Sequence, residues 1–405
     1  MEYIDGGVCA AKGFKAAGGH CGLKGSGKPD LALIMSEVPA RAAAVYTKNV
    51  VQAAPIHVTK RHLQTGLAQA VIVNSGNANA CAPQGEENAL AMCRYTAQAL
   101  AIPVEAVAVA STGVIGKSMT PLMDRVRTGT QDLAAKLSAE GSDGAARAIM
   151  TTDTVKKEAA VSIALSGKPV HIGAITKGSG MIHPNMGTML CFITTDAAIS
   201  ADALKSALNA AVKASFNRIS VDGDTSTNDM CLILANGLAE NPELTEADTD
   251  FKDFTDALTG LCVKLARAMA ADGEGATHLI TCTVTGAESI ATAESIAKAV
   301  IASSLVKAAI FGGDANWGRV LCAMGYSGVV FDPERVAVAF CSEKGEITVC
   351  EKGRGLTFDE ALAAAVLSAH EVVIAVDMGC GEAECTCWGC DLTYAYVKIN
   401  GDYRS

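Results

Sequence analysis

Short apolar runs alternate with longer amphipathic stretches along the chain, and clusters of Gly and Asn separate them. Uninterrupted apolar runs of strand length predict buried strands at residues 70–74, 107–111 and 189–193, and residues 391–399 also have a strand-like pattern. Apolar positions spaced by three or four residues predict helices at 86–100, 200–216, 250–272, 287–305 and 358–368. This alternation is typical of the α/β or α+β class.

Three loops next to predicted strands have an unusual composition. NSGNANA at 74–80 is dense in amide side chains, and STGVIG at 111–116 is a turn whose backbone N–H groups could stabilise an anion. KGSGMIHPNMGTML at 177–190 is rich in Gly and runs directly into a predicted strand. By composition alone the favoured interpretation is an ordinary turn at 111–116 and a flexible surface loop at 177–190. We find no fixed-period repeat and no Pro-rich linker, so composition marks no domain boundary.

Composition narrows the class of protein. Half of the 405 residues are hydrophobic and only 4% are aromatic, so an aliphatic core must hold the fold. A net charge of -10 at pH 7 disfavours a nucleic-acid partner. The early acidic residues Glu2 and Asp5 do not fit a signal peptide, and charges interrupt every later apolar stretch before it reaches membrane-spanning length. We therefore expect a cytoplasmic protein without a membrane partner.

The fifteen cysteines are expected to be free thiols, because the count is odd and the chain shows no secretion signal. Cys380, Cys385, Cys387 and Cys390 are spaced so that four sulfurs could surround one zinc or cluster ion. Zinc sites usually combine two separate pairs, however, and this stretch contains one. We interpret these cysteines as small buried hydrophobic residues and predict no metal site.

Several familiar motifs are incomplete. GLKGSGKP at 22–29 has Pro where a phosphate-binding P-loop needs Ser or Thr, and GCG at 379–381 lacks the third Gly of a dinucleotide site. His370-Glu371 is not followed by a second His, and no G-x-S-x-G elbow occurs. These observations disfavour nucleotide binding, a zinc protease and an ordinary serine hydrolase.

KGSGMIHPNMGTML resembles the processing site of the ornithine acetyltransferases, also called glutamate N-acetyltransferases, in which Ala-Thr usually replaces Gly187-Thr188. Further segments are similar to that family in the same order along essentially the whole chain: NSGNANA, STGVIG, MTTDT at 150–154, SVDGDTSTND at 220–229, DGEGATHL at 272–279, NWGR at 316–319 and WGCDLTYAYVKIN at 388–400.

The resemblance implies a layered αββα-type sandwich of the ornithine acetyltransferase and aminopeptidase kind. It also implies that the precursor cuts itself between Gly187 and Thr188. The products would be an α chain of residues 1–187 and a β chain of residues 188–405, which stay interleaved and assemble as two α and two β chains.

Self-cleavage has a chemical rationale. A Thr hydroxyl is a weak nucleophile at neutral pH, and the α-amine that cleavage would release at Thr188 has an unperturbed pKa of about 7.7 to 8.0, which suits a base. Gly187 makes the attacked carbonyl less hindered but also less preorganised, so we expect cleavage to be slower or incomplete.

The implied activity is transfer of an acetyl group from N2-acetyl-L-ornithine to L-glutamate in the cyclic pathway of arginine biosynthesis. Thr188 would carry the acetyl group in a ping-pong mechanism, and Thr112 and Gly113 would form the oxyanion hole. The resemblance places substrate binding at Thr151, Lys177, Thr188, Glu274, Asn400 and Ser405. The choice between Thr151 and Thr152 stays open.

The resemblance implies no cofactor and no metal. Acetyl-CoA as a second acetyl donor stays open, because the chain has no readable CoA signature. Two alternatives also remain: a self-processing amidohydrolase or aminopeptidase that gives the acyl group to water, and a non-enzymatic metal module built on the four clustered cysteines.

Overall fold

The computed structural model describes residues 1–183 and 189–402. Within these ranges the strands are β1 (Glu2–Ile4), β2 (Phe14–Gly19), β3 (Leu31–Tyr46), β4 (Leu67–Asn74), β5 (Val107–Ser111), β6 (Lys157–Leu165), β7 (Lys168–Lys177), β8 (Leu190–Thr195), β9 (Ile219–Ser220), β10 (Met230–Ala235), β11 (Leu279–Ala287), β12 (Ala337–Ser342), β13 (Gly345–Glu351), β14 (Arg354–Gly355), β15 (Glu371–Asp377) and β16 (Ala383–Cys390).

The α-helices in the same ranges are α1 (Ala54–His62), α2 (Gly85–Leu100), α3 (Met123–Ala134), α4 (Ser142–Ala148), α5 (Ala201–Ala214), α6 (Asp250–Ala271), α7 (Ile290–Ala302), α8 (Ser304–Phe311), α9 (Trp317–Gly325), α10 (Glu360–Leu367) and α11 (Tyr394–Asp402).

These elements form a mixed α/β sandwich on two sheets, as predicted. In the described part of the chain the first sheet has nine strands, ordered β1-β6-β7-β8-β10-β3-β4-β5 with β2 paired to β3. The second has seven, ordered β14-β13-β12-β15-β11-β16-β9. β8 lies between antiparallel β7 and parallel β10, and every residue of β8 and β10 is buried. The apolar runs predicted as strands at 70–74, 107–111 and 189–193 correspond to β4, β5 and β8.

Helices cover the sheets through small and aliphatic side chains. Leu204 of α5 and Leu261 of α6 share a core cluster with β8, and Met92 of α2 packs with the strands at the other end of the first sheet. Ile296 of α7 packs with Ile280 on the second sheet. With few aromatic residues available, the core depends on close packing of many aliphatic side chains.

Two predicted elements need correction. The helix predicted at 287–305 is interrupted, because the Ser303 hydroxyl accepts the Val306 N–H (3.4 Å) and caps a new helix, α8. The strand predicted at 391–399 is wrong, since α11 occupies most of this segment. Asp391 accepts the backbone N–H groups of Thr277 and His278, which ends β16, and Thr393 accepts the Tyr396 N–H (3.3 Å) at the start of the helix. The other predicted helices correspond to α2, α5, α6 and α10.

All fifteen cysteines lie in the described ranges and are free. Cys385 and Cys387 belong to the core of the second sheet, and the partly buried Cys380 packs against the same core. Cys390 belongs to the core that includes residues of α6. No helix in the described ranges combines the length and apolar character needed to cross a bilayer.

Candidate active site

One cavity of about 200 Å³ brings together residues that are far apart in sequence. Six of the predicted site residues line it: Thr112, Gly113, Thr151, Lys177, Glu274 and Asn400. Met189 and Leu190 line it as well, so the chain reaches the cavity immediately after position 188. Thr152 lines the cavity beside Thr151, and the choice between the two stays open. The predicted residues Gly187, Thr188 and Ser405 lie outside the described residues.

The turn that follows β5 requires glycine at position 113. Gly113 has φ +127°, and a Cβ there would lie 2.8 Å from the backbone nitrogen of Asn77. The Thr112 N–H donates to the carbonyl of Asn74 (2.9 Å), which holds the turn against the end of β4. The Thr112 side chain and the Gly113 backbone therefore reach the cavity on a tightly fixed turn.

Amide side chains of the 74–80 loop and of Asn228 support this turn from below. The Asn74 amide donates to the Ser111 hydroxyl (2.7 Å), and the Asn74 carbonyl oxygen accepts the Asn77 N–H (3.0 Å). Asn228 donates to the carbonyls of Ala78 (2.6 Å) and Ser111 (2.8 Å). The unusual amide content of this loop thus fixes the geometry of the predicted oxyanion hole.

Lys177 is the last residue of β7 and only 7% exposed. Its Nζ donates to Thr112 Oγ1 (3.4 Å). Because this bond occupies a lone pair of the hydroxyl oxygen, the hydroxyl proton of Thr112 stays available for donation into the cavity. Burial lowers the pKa of Lys177, and the neighbouring carboxyl groups of Asp153, Asp229 and Glu274 oppose that shift.

A buried cluster of charged groups lies near Lys177. Lys157 Nζ lies 2.8 Å from Asp153 Oδ1 and 2.5 Å from Asp272 Oδ2, and Asp153 also accepts the N–H of Gly178 (2.8 Å). Burial would raise the pKa of Asp153, but the charges of Lys177 and Lys157 outweigh it and hold that pKa below its usual range. The cluster joins β6, the end of α6 and the start of the Gly-rich loop.

The Glu274 carboxylate occupies space that the absence of a side chain at Gly180 leaves open. A Cβ at Gly180 would lie 2.5 Å from the carboxylate oxygens of Glu274, so a larger residue there would displace that carboxylate. The Glu274 N–H donates to the carbonyl of Ser179 (3.0 Å), and its Oε2 accepts the Asn400 amide (2.7 Å). These contacts fix one acidic group at the cavity wall.

The segment that leads toward position 188 is anchored by Asp222. Its carboxylate accepts the backbone N–H groups of Met181 (2.6 Å) and Ile182 (2.8 Å). The Val221 N–H donates to the carbonyl of Ile182 (2.7 Å), and the Thr225 hydroxyl donates to that of His183 (2.8 Å). The described end of the loop is therefore held by the 220–225 segment at several points.

Sequence reasoning missed the site roles of Asp153, Asn228 and Asp229. Asp229 lines the cavity and is 2% exposed, and burial raises its pKa well above the ordinary value. All three residues lie within the quoted segments MTTDT and SVDGDTSTND. Acidic and amide residues inside those segments were the available signal.

Within the described ranges, no group of three or more His, Cys, Asp or Glu residues is arranged to hold a metal ion. The cavity instead offers hydrogen-bond donors beside a buried lysine and two carboxyl groups. Such an arrangement can bind an amino-acid carboxylate and amine and stabilise an oxyanion during acyl transfer.

Comparison with known proteins gives the family. The ArgJ family model matches residues 15–405. Arginine biosynthesis bifunctional protein ArgJ of Symbiobacterium thermophilum is 54% identical, with full coverage of both chains, and that of Caldanaerobacter subterraneus subsp. tengcongensis is 49% identical, also with full coverage. In the crystal structure of arginine biosynthesis bifunctional protein argJ from Bacillus halodurans, the matching chain is 46% identical with a TM-score of 0.50, and the match covers 52% of this chain and 98% of that chain. The chain belongs to the ArgJ family.

Proposed function

We propose that this protein is a glutamate N-acetyltransferase of arginine biosynthesis, which moves the acetyl group of N2-acetyl-L-ornithine to L-glutamate through an acetyl-threonine at Thr188. The observation that carries the proposal is the cavity in which Thr112, Gly113 and Lys177 meet the start of β8. Full-length relatives named for arginine biosynthesis support the pathway.

In the first half-reaction the Thr188 hydroxyl attacks the acetyl carbonyl, and its α-amine takes the hydroxyl proton. Negative charge then develops on the carbonyl oxygen. In this scheme the Thr112 hydroxyl and the Gly113 N–H stabilise that charge, since both residues line the cavity, and Lys177, which donates to Thr112, strengthens the donor. Collapse of the intermediate breaks the C–N bond, and the ornithine amine leaves with a proton.

In the second half-reaction the amine of glutamate attacks the ester carbon of acetyl-Thr188, and the same donors stabilise the second oxyanion. Donor and acceptor both carry an α-carboxylate, which the buried cation Lys177 attracts. Thr151 and Asn400 add polar contacts, and Glu274 attracts the ammonium group of the ornithine moiety. Ser405 completes the substrate contacts in this proposal.

The proposal includes self-cleavage between Gly187 and Thr188. The Bacillus halodurans structure supports cleavage. The match includes 98% of that chain but only 52% of this one, and the β chain of residues 188–405 would be about the same share of this chain. Cutting would leave the products joined, since β8 and β10 of the β chain pair with β7 and β3 of the α chain. We propose that two α and two β chains form the assembly.

We also propose acetyl-CoA as a second acetyl donor, since the curated relatives are named bifunctional. The enzyme needs no other cofactor in this scheme. Incubation of acetyl-CoA with glutamate tests it: formation of N-acetylglutamate and free CoA is expected, and unchanged acetyl-CoA would restrict the enzyme to acetylornithine.

Transfer is distinguished from hydrolysis by incubating N-acetylornithine with and without glutamate. We expect sustained ornithine release only with glutamate, and equimolar N-acetylglutamate. Ornithine release at the same rate without glutamate would identify a hydrolase. Thr188→Ala should give a folded, uncut and inactive chain, while cleavage of that variant at the same bond would show that another nucleophile acts.

A further inference from the structure

Part of the cavity wall is apolar and has no role in the acetyl-transfer scheme. Six of the described residues that line the cavity have apolar side chains: Ala78, Ile115, Met181, Ile182, Met189 and Leu190. Four of these are at most 3% exposed, whereas Met181 is 39% exposed and Ile115 is half-buried. Ile115 and Met181 therefore offer most of the apolar surface that a ligand could contact.

Ile115 lies on the same turn as the proposed oxyanion donors, and hydrogen bonds on both sides fix its backbone. Before it, the Ala78 N–H donates to the carbonyl of Val114 (3.0 Å). After it, the Gly116 N–H donates to the carbonyl of Ala80 (2.9 Å). The 74–80 loop therefore holds Ile115 in place through its own backbone.

The Ile115 side chain has rigid surroundings. It packs against a small apolar cluster formed by Ala53, Ala78 and Ala80. Alanine side chains have no rotamers to exchange, and a β-branched side chain such as that of isoleucine is stiff at χ1. Ile115 and Ala78, which both line the cavity, therefore form a rigid apolar wall on the donor turn and its supporting loop.

The chemistry of an acyl group limits where its carbon chain can lie. The carbonyl oxygen and the first chain carbon are bonded to the same carbon atom, so an oxyanion held at Thr112 and Gly113 keeps the chain close to that turn. Met181 belongs to a different segment, which the Asp222 carboxylate anchors. Of the two more exposed apolar side chains, Ile115 is therefore the one fixed to the turn that holds the acyl oxygen.

We propose that Ile115 and Ala78 form the subsite for the acyl chain, and that Ile115 restricts the transferred group to acetyl. This inference rests on the acetyl transfer proposed above. The acetyl methyl group packs against these two side chains while Thr112 and Gly113 hold the oxygen. The extra methylene of a propionyl group would meet the Ile115 side chain, which its stiff χ1 and the alanine cluster keep from moving aside.

The test compares N-acetylornithine with N-propionylornithine as donors to glutamate and takes the ratio of the two kcat/KM values. One methylene in an apolar pocket changes this ratio by about 10–200-fold, so we expect the unaltered enzyme to prefer acetyl by that order. Ile115→Ala should lower the preference about tenfold or more, and Ile115→Val, which removes one carbon, should lower it less. Val114→Ala is the matched control, because Val114 belongs to the same turn but does not line the cavity, and it should keep the ratio.

The ratio separates acyl selection from structural damage, because a disturbed turn slows transfer from both donors alike. An unchanged ratio in folded Ile115→Ala would overturn the inference, and so would a shift in Met181→Ala without one in Ile115→Ala. If Ile115→Ala does not fold, the ratio in Ile115→Val decides. An unaltered enzyme that transfers propionyl as readily as acetyl would also overturn it. Absence of any transfer from N-acetylornithine would instead refute the proposed function.

Discussion

The side-chain amide of Asn400 donates to Glu274 Oε2 at 2.7 Å and joins the C-terminal helix α11 to the loop after α6. Close packing supports this contact: a Cβ at Gly275 would lie 2.7 Å from the Tyr396 nitrogen, and the Thr393 hydroxyl donates to the Gly275 carbonyl (2.7 Å). Sequence patterns suggested a strand at 391–399, but helix α11 forms there and positions the acidic group of Glu274 at the cavity.

Asn400→Ala should weaken substrate binding more than turnover, because Glu274 loses the partner that orients it. A hydrogen bond to a charged group contributes about 1.5–3 kcal/mol, so we expect the KM for N-acetylornithine to rise about tenfold or more. Steady-state kinetics measure the effect, and Lys398→Ala, an exposed change on the same helix, is the control. A change confined to kcat would contradict a binding role for this contact.

Gly113→Ala should nearly abolish acetyl transfer. The added methyl group would meet the Asn77 nitrogen at 2.8 Å, so the turn must move. The Thr112 hydroxyl and the N–H of residue 113 would then no longer be positioned to stabilise the oxyanion. Loss of one oxyanion donor costs about 10²–10³-fold in kcat. Gly116→Ala is a matched control, since Gly116 also has positive φ (+79°) but its added methyl group would meet no atom within 4 Å. Equal loss in both variants would show that the turn acts only through stability.

Lys157→Met should destabilise the fold strongly, because it leaves Asp153 and Asp272 buried without their shared cation. Breaking a buried ion pair costs about 3–5 kcal/mol in the free energy of unfolding, which urea denaturation measures. Lys156→Met removes the adjacent, more exposed lysine and its pairs with Asp143 and Glu158, and should cost less than about 1 kcal/mol. Similar costs for the two variants would argue against the buried cluster.

Asp222→Asn should slow self-cleavage. The amide can accept only one of the two backbone N–H groups of Met181 and Ile182, so the approach to the scissile bond is held less firmly. Loss of one such bond corresponds to a roughly threefold to tenfold slower rate, which a timed chase of newly synthesised chain on a gel measures. A rate equal to that of the unaltered chain would show that the Asp222 contacts do not position the loop.

Local patterns predicted the elements whose signal is local. The buried apolar runs of β4, β5 and β8 and the amphipathic helices α2, α5 and α6 are all visible in the sequence. Residues 391–399 misled the prediction because alternating apolar residues suggest a strand, whereas Thr393 capping and the contacts of Asp391 with the chain at Thr277 and His278 decide the structure. The latter contacts join residues more than a hundred positions apart.

The candidate site likewise combines residues that the sequence predicted with residues that only the fold reveals. Family resemblance located Thr112, Gly113, Thr151, Lys177, Glu274 and Asn400, and the fold brings these six together. The composition of the segment 220–229 singles out its acidic and amide residues but does not show that Asn228 supports the turn at Thr112 and Gly113 or that Asp229 lies beside Met189, because sheet pairing and loop packing create both contacts. The partners of Lys157 likewise come from a preceding loop and from the end of α6.

The central claim is that Thr188 becomes the N-terminal residue of a separate chain and carries the acetyl group. Intact-mass spectrometry of the purified enzyme, before and after brief incubation with N-acetylornithine alone, tests it most directly. We predict fragments of residues 1–187 and 188–405. After incubation the second fragment should be heavier by one acetyl group on Thr188, and adding glutamate should return it to its original mass. A single uncut chain that transfers acetyl groups with Thr188 unmodified would contradict the account.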